Sequence, residues 1–220
     1  MSLATFRYSR GLTGTFELPT EVARRLVPPR IEPIEVHHGT SVLAVSVTDF
    51  SDTLFGPYAE LVLAIVVAPI VRAGEVMPQA AFCPYAIGTS SAAARQMVLP
   101  QWPLPFWSED VVVDFKSNGD QRSVVATAGG AAILEMSLYE HQWSEQSQVH
   151  QVIALGEGGG AAALMTLRGA YCDHEDGRGS LVLHAHPIHK GLDVGAVDGL
   201  PLREVCLGEG TRSVESLVEL

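Results

Sequence analysis

A Gly-Pro turn at residues 56–57 leads into a strongly apolar run at residues 61–67, and a single carboxylate stands directly before that run. This carboxylate is Glu60, and a charged group beside so apolar a segment is costly to bury unless it is paired or performs chemistry. We therefore expect Glu60 to act as a general acid or base in an apolar pocket. The alternative is that Glu60 pairs with Arg10 or Arg95 and only fixes the turn.

Tyr58 and Arg95 are the next candidates for contact with a substrate. Tyr58 precedes Glu60 by two residues, so the two side chains face one side of an extended chain. Arg95 lies near the end of a predicted helix, and its planar guanidinium suits a substrate carboxylate. An ordinary place on the helix surface is equally open for Arg95.

The segment after Pro100 combines an amide with aromatic and proline residues. The amide of Gln101 can donate to a carbonyl oxygen or accept from a hydroxyl group. Trp102 and Phe106 alternate with prolines, and they form either the wall of an apolar ligand site or a rigid loop packed on the sheet.

A late cluster of histidines raises the question of a metal site. His184 and His186 share one face of a strand, so two ligands are geometrically possible, and His189 is close in sequence. The spacing fits no recognised zinc motif, and the three widely spaced cysteines form neither a metal nor a disulfide pattern. We expect no metal and no cofactor, and we expect His184 in the core or at the mouth of a pocket.

The composition predicts a folded globular protein. With 47% hydrophobic and 18% charged residues among 220, the chain can bury a large core, and we expect one domain over residues 1–220. The net charge of −11 disfavours nucleic acid and anionic membranes as partners. No stretch has the length and apolarity of a membrane span, and the N-terminus lacks the apolar core of a signal peptide. We therefore expect a cytoplasmic protein.

The apolar patterns predict mostly strands with two short helices. Residues 19–28 fit a helix capped by Thr20, and residues 90–97 fit a second helix capped by a serine. An Asn-Gly pair at residues 118–119 lies between two alternating segments and predicts a hairpin. These patterns favour an antiparallel barrel or two packed sheets. The end of the chain from residue 213 is expected to form a packing strand or a short helix. Further strands are predicted at residues 34–50, 61–71, 131–139, 148–155, 161–171, 179–186 and 201–206.

In the order and approximate spacing of several short motifs, the chain resembles the acetoacetate decarboxylase superfamily. Residues 56–60 (Gly-Pro-Tyr-Ala-Glu) are similar to the turn that supplies the active-site glutamate of that family. The Schiff-base lysine of the family directly follows a proline, whereas Gln101 stands at that position here. Other similar segments are residues 24–29, 94–100, 184–187 and 200–205, so the resemblance covers most of the chain.

The resemblance implies a mainly β (α+β) fold, with a distorted antiparallel β-barrel around a pocket and a few peripheral helices. It also implies that Arg10 corresponds to an active-site arginine near the N-terminus and that the protein forms homo-oligomers. Because Gln101 cannot form an imine, we expect noncovalent acid/base catalysis that cyclises, dehydrates or isomerises an enolisable carbonyl or polyketide-like metabolite. The expected catalytic residues are Glu60 and Gln101, and the expected substrate contacts are Arg10, Tyr58, Arg95, Trp102, Phe106 and His184.

Two other functions remain open from the sequence. One is a non-catalytic protein that binds a small molecule on the same fold. The other is ordinary Schiff-base decarboxylation by Lys190, which lies in a segment inserted relative to the family and is one of only two lysines in the chain, the second being Lys116.

Overall fold

The computed structural model describes residues 4–71, 74, 76–96, 102–156 and 159–220 of the protein. Most of these residues lie in strands, which confirms the predicted mainly β fold with a few helices outside the sheet. The helices are α1 (Thr20–Leu26) and α2 (Ala92–Arg95), with short 3-10 helices at Pro187–His189 and Val194–Ala196. The strands are β1 (Ala4–Pro19), β2 (Glu35–His37), β3 (Thr40–Asp52), β4 (Tyr58–Val67), β5 (Ala80–Thr89), β6 (Phe106–Asn118), β7 (Gln121–Ala128), β8 (Ala131–Tyr139), β9 (Trp143–Gly156), β10 (Gly159–His174), β11 (Ser180–Leu183) and β12 (Pro201–Glu219).

Seven of these strands close into a barrel. In the order of hydrogen bonding they are β5, β4, β3, β1, β12, β10 and β9, and β9 pairs with β5 to complete the ring. The closing pair is parallel and joins Ala80 to His150 and Phe82 to Val152, whereas the other pairs in the ring are antiparallel. The predicted barrel is thus confirmed, and a short parallel seam closes it.

An arm of the sheet extends from β5 and packs against the outside of the barrel. The arm begins with β6, which is parallel to β5, and continues through β7, β8 and β11 in antiparallel pairs. Leu134 and Met136 of the arm belong to one core cluster with Leu43 of β3 and Leu63 of β4. Strands β3 and β4 are therefore buried on both faces, which explains why residues 61–67 form a nearly continuous apolar run.

Successive side chains of β3 point alternately to the core outside the barrel and to the barrel interior. Leu43, Val45 and Val47 are fully buried in the cluster shared with the arm. Ala44 and Ser46 point to the other side and line a cavity inside the barrel. Because these inward-facing residues are small, the barrel keeps an internal space that larger side chains would fill.

The predicted hairpin at residues 118–119 is confirmed. Asn118 at the end of β6 pairs with Gln121 at the start of β7, and Gly119 between them has a φ of 60°. Glycine adopts this left-handed conformation without the steric cost that a Cβ atom would add.

Both predicted helices are present, although each differs from its prediction. Pro19, not Thr20, occupies the N-cap position of α1, and the Thr20 hydroxyl instead lies 2.9 Å from the hydroxyl of buried Ser41. Helix α2 is a single turn in which the Ser91 hydroxyl accepts from the backbone N–H of Ala94 at 3.3 Å, and residue 97 lies outside the described residues. None of the described helices has the length and apolar character needed to cross a membrane.

Candidate active site

The barrel encloses a cavity of about 180 Å³. Every barrel strand contributes to its wall, together with α2 and the segment of residues 102–106 that leads into β6. The wall is mostly apolar, so the few polar groups in it stand out as candidates for chemistry. Typical apolar members of the wall are Val62, Ala64, Ile87, Val152, Met165 and Leu207.

Glu60 lies in this wall near the start of β4, only 7% exposed, and it forms an ion pair with Arg212 of β12. The Nη1 atom of Arg212 donates to Oε1 of Glu60 at 2.7 Å. The predicted alternative, in which Glu60 pairs with Arg10 or Arg95, is therefore wrong about the partner. The Glu60 carboxylate therefore has a buried cationic partner within the cavity wall.

Aromatic rings hold Arg212 in place. The guanidinium carbon lies 4.3 Å from the centre of the Phe50 ring and 5.9 Å from that of Phe6. Burial opposes the charge of Arg212, but the Glu60 carboxylate and the Tyr58 side chain outweigh burial, and the pKa of Arg212 is raised. The Nε atom of Arg212 is buried without a hydrogen-bond partner among the described residues. The site therefore contains a cation with at least one donor that no described residue accepts.

Tyr58 faces the cavity on the same side of β4 as Glu60, as the alternation predicts. Its ring centre lies 5.1 Å from that of Phe50, which also packs against Arg212. Burial, followed by the nearby Glu60 charge, raises the pKa of Tyr58, so the phenol stays protonated at neutral pH. Tyr58 can therefore donate a hydrogen bond close to the ion pair.

Strand β9 adds a second polar region that no motif in the sequence predicts. His150 lines the cavity, and burial, assisted by the charge of Arg203, lowers its pKa to about 4 against the opposing effect of Asp173. The imidazole is therefore neutral at physiological pH and can both donate and accept. Gln148 also lines the cavity, and its amide donates to the side-chain oxygen of Gln146 at 2.9 Å.

Three residues predicted to contact a substrate lie outside the cavity wall, and each is held by another partner. Arg10 is exposed, lies 3.1 Å from the Asp49 carboxylate and packs over the ring of Phe115. Arg95 lies 2.7 Å from the Asp110 carboxylate and also donates to the backbone carbonyl of Thr89. His184 lies 3.0 Å from the Glu135 carboxylate on the exposed arm. Their ion-pair partners direct these side chains away from the barrel interior.

The segment of residues 102–106 places its aromatic residues as predicted for a ligand wall. Trp102, Leu104 and Phe106 line the cavity in alternation, while Pro103 and Pro105 point to the opposite side. Gln101, the predicted amide of the site, lies outside the described residues.

Neither of the two lysines lines this cavity. Lys116 lies 3.2 Å from the Asp114 carboxylate on β6, and Lys190 lines a different cavity. Within the described ranges, no three histidine, cysteine or acidic side chains are arranged to bind a metal ion. The late histidines have other partners instead: His189 contacts the backbone carbonyl of Ile133, and His186 accepts from the N–H of Ile188.

Comparison with solved structures identifies the fold. A structure of acetoacetate decarboxylase matches with a TM-score of 0.65 at 14% sequence identity, over 98% of this chain and 88% of that chain. This chain has the fold of acetoacetate decarboxylase. Scans of the sequence against models of protein families and against curated proteins find no match.

Two further structures share the acetoacetate decarboxylase fold with this chain. An acetoacetate decarboxylase-like enzyme from Sphingomonas wittichii RW1 has a TM-score of 0.58 at 11% identity, over 99% of this chain and 92% of that chain. The enduracididine biosynthesis enzyme MppR, solved in complex with pyruvate, has a TM-score of 0.59 at 11% identity, over 100% of this chain and 91% of that chain. At these identities the similarity establishes the fold.

Proposed function

We propose that this protein is an acetoacetate decarboxylase-like enzyme that moves a proton on a small enolisable carbonyl compound without forming a Schiff base. The observation that carries the proposal is the Glu60–Arg212 ion pair in the wall of an otherwise apolar cavity. A carboxylate base next to a fixed cation is the pair of groups that enolisation requires.

In the proposed reaction, the Glu60 carboxylate removes a proton from the carbon beside the substrate carbonyl. The C–H bond breaks, the proton moves to Glu60, and the electron pair passes through the new C=C bond to the carbonyl oxygen. Arg212 and the Tyr58 hydroxyl stabilise the charge on that oxygen. Return of the proton to another atom gives isomerisation, loss of a hydroxide from the neighbouring carbon gives dehydration, and attack on an internal carbonyl gives cyclisation.

The size of the cavity favours a small substrate. At about 180 Å³ it lies below the range of about 300–1,000 Å³ that is usual for ligand pockets. A compound of a few carbon atoms therefore fits better than an extended polyketide. The pyruvate complex of MppR is an example of a small carbonyl compound bound to this fold.

The placement of the lysines argues against the alternative in which Lys190 forms a Schiff base in this cavity. Such chemistry needs an amine within bonding distance of the substrate carbonyl, and neither Lys116 nor Lys190 lines the cavity wall. Borohydride reduction in the presence of pyruvate, followed by peptide mass analysis, is expected to give no adduct on either lysine.

A non-catalytic binding protein is the second candidate function, and one observation favours it. The Glu60 carboxylate already has a charged partner at 2.7 Å, so its role could be to hold Arg212 in place for a ligand. The two candidates differ in turnover, because a binding protein would retain a carbonyl ligand without exchanging its protons.

Deuterium exchange tests the proposal. Pyruvate and acetylacetone are incubated with the protein in D₂O, and loss of the proton signal beside the carbonyl is followed by NMR. We expect Glu60→Gln to slow enzyme-dependent exchange by about 100-fold or more. Glu135→Gln makes the same chemical change at an exposed carboxylate outside the cavity and should leave the rate unchanged.

Unchanged exchange in Glu60→Gln would refute the role of Glu60 as base. Because this variant leaves Arg212 without its counter-charge, its folding is checked by circular dichroism. Glu60→Asp provides a second test, since it keeps the charge but withdraws the carboxylate by one methylene, and it should also reduce the exchange rate. Binding of either compound without any exchange by the unmodified protein would favour the second candidate.

A further inference from the structure

A second cavity, of about 310 Å³, lies beside the first and is separated from it by the segment of residues 102–106. Pro103 and Pro105 line the second cavity, whereas the residues that alternate with them line the first. Strand β5 separates the two in a similar way: Cys83 and Tyr85 face the second cavity, and Pro84 belongs to both walls. The two spaces therefore share a wall but present different side chains.

The charged residues that line the second cavity are both cations. They are Arg25 at the end of α1 and Lys190 after the 3-10 helix at Pro187–His189, and no acidic side chain joins them among the described lining residues. Neither cation has an ion-pair partner in the described part of the chain. The neighbouring Arg24 differs, because it lies 3.6 Å from Glu32 and 3.9 Å from Glu35. In a protein with a net charge of −11, two unpaired cations at one cavity form an unusual local excess of positive charge.

Lys190 lies in a strained turn of the backbone, and its side chain is exposed. Lys190 is the one described residue other than glycine with a positive φ, at 22°. Such a conformation is costly for a residue with a Cβ atom, and it persists only where the surroundings enforce it. Here the preceding His189 is buried and contacts the Ile133 carbonyl at 3.2 Å, which anchors the turn.

The other side chains of the second cavity are uncharged and mostly apolar, and Tyr85 adds a buried hydroxyl group that has no hydrogen-bond partner in the described part of the chain. Leu26, Leu155, Ala154 and the prolines form most of its wall. Burial raises the pKa of the Cys83 thiol to about 11, so this thiol carries no charge at neutral pH. A ligand that matches this surface has one anionic group and a short apolar body.

From these observations we propose that the second cavity binds a small carboxylate with a short apolar chain, whose charge lies between Arg25 and Lys190. This site is independent of the proposed chemistry at Glu60, and it does not require that the first cavity be catalytic. The carboxylate accepts from the guanidinium of Arg25 and the ammonium of Lys190, and the alkyl chain lies against the prolines.

The two lysines of the chain provide a direct assay with an internal control. Protein labelled with ¹³C at the lysine side chains gives one set of signals from Lys190 and one from Lys116, and Lys116→Gln assigns them. Titration with butyrate is expected to shift the Lys190 signals in a saturable way and to leave Lys116, paired with Asp114, unshifted. Added salt should weaken the binding, since exposed cations are screened.

Arg25→Gln is expected to weaken butyrate binding by about tenfold, the effect of one lost charge-assisted hydrogen bond. Arg24→Gln is the matched control and should leave the affinity unchanged. Exchange at the first cavity is not needed for this readout, so failure of one proposal does not affect the other.

Several results would overturn the assignment. The first is no saturable shift of the Lys190 signals, or equal shifts at Lys116, which would indicate only general attraction to the surface. A shift with butylamine as large as that with butyrate would show that charge plays no part. Tighter binding of inorganic phosphate than of butyrate would contradict the role of the apolar wall.

Discussion

Removal of one partner from the Glu60–Arg212 pair is expected to destabilise the protein far more than removal of both. The two side chains are 9% and 14% exposed, so little water can reach a charge that is left alone. We consider Glu60→Leu, Arg212→Met and the double variant, because these apolar side chains have volumes similar to the ones they replace. Phe50 and Tyr58 remain in each variant to pack against the new side chains.

The expected magnitude follows from the burial of the pair. Breaking a buried ion pair by removing one partner costs about 3–5 kcal/mol, whereas replacing both partners with apolar groups is often close to neutral. For a protein of this size about 1 kcal/mol lowers the melting temperature by 2–4 °C, so each single variant should melt about 6–20 °C below the unmodified protein. Urea denaturation followed by circular dichroism gives the free energies of unfolding and the coupling energy of the cycle.

A double variant whose loss of stability equals the sum of the two single losses would refute this reasoning. That result would mean that neither charge depends on the other, as for an exposed pair that water screens. Single variants that each cost less than about 1 kcal/mol would lead to the same conclusion.

Two further predictions concern groups outside the pair. Folding lowers the pKa of His150 from 6.5 to about 4, so between these pH values the unfolded chain binds a proton that the folded chain excludes. The free energy of unfolding should therefore fall by about 3 kcal/mol as the pH drops from 6.5 to about 4. This group should cause no further loss below that pH. Urea denaturation at several pH values should show a smaller slope in His150→Gln. The Glu204 carboxylate is fully buried and accepts from three backbone N–H groups, so Glu204→Ala should cost about 3 kcal/mol or more, because each N–H loses its partner. Glu135→Ala, at an exposed carboxylate, should stay within about 0.5 kcal/mol of the unmodified protein in the same denaturation assay.

Features that depend on neighbouring residues could be predicted from the sequence. The common direction of Tyr58 and Glu60 follows from the period of two residues along a strand, and both line the cavity. The predicted strand at residues 131–139 coincides with Ala131–Tyr139. In these cases a short stretch of sequence is enough to predict the feature.

Strands β1 and β5 were not predicted, because irregular pairing obscures their patterns. The pairing of β1 with β3 shifts register between Tyr8 and Arg10, which breaks the alternation of apolar residues. Strand β5 contains Pro84, and the register between β4 and β5 shifts at this position. A proline within an apolar run argues against a strand unless it lies at such an irregularity.

The partner of Glu60 could not be predicted either, because it lies 152 residues away along the chain. Arg212 stands in β12, next to the terminal segment that was predicted as a packing strand or short helix, and nothing in its immediate sequence marks it as part of a site. Only the closure of the barrel brings β12 opposite β4. Arg10 and Arg95 are nearer to the turn in sequence, but Arg10 pairs with Asp49 and Arg95 pairs with Asp110 instead.

The buried pair is better explained by binding or catalysis than by stability. Replacing a buried ion pair with two apolar side chains often leaves a protein equally stable, so stability alone does not require this pair. What the pair adds is a carboxylate beside a guanidinium that packs on the Phe50 ring, an arrangement that exists before any ligand arrives. The double variant separates these roles, since it should keep most of the stability and lose the proton exchange. Retention of exchange by a stable double variant would show that the pair serves the fold alone.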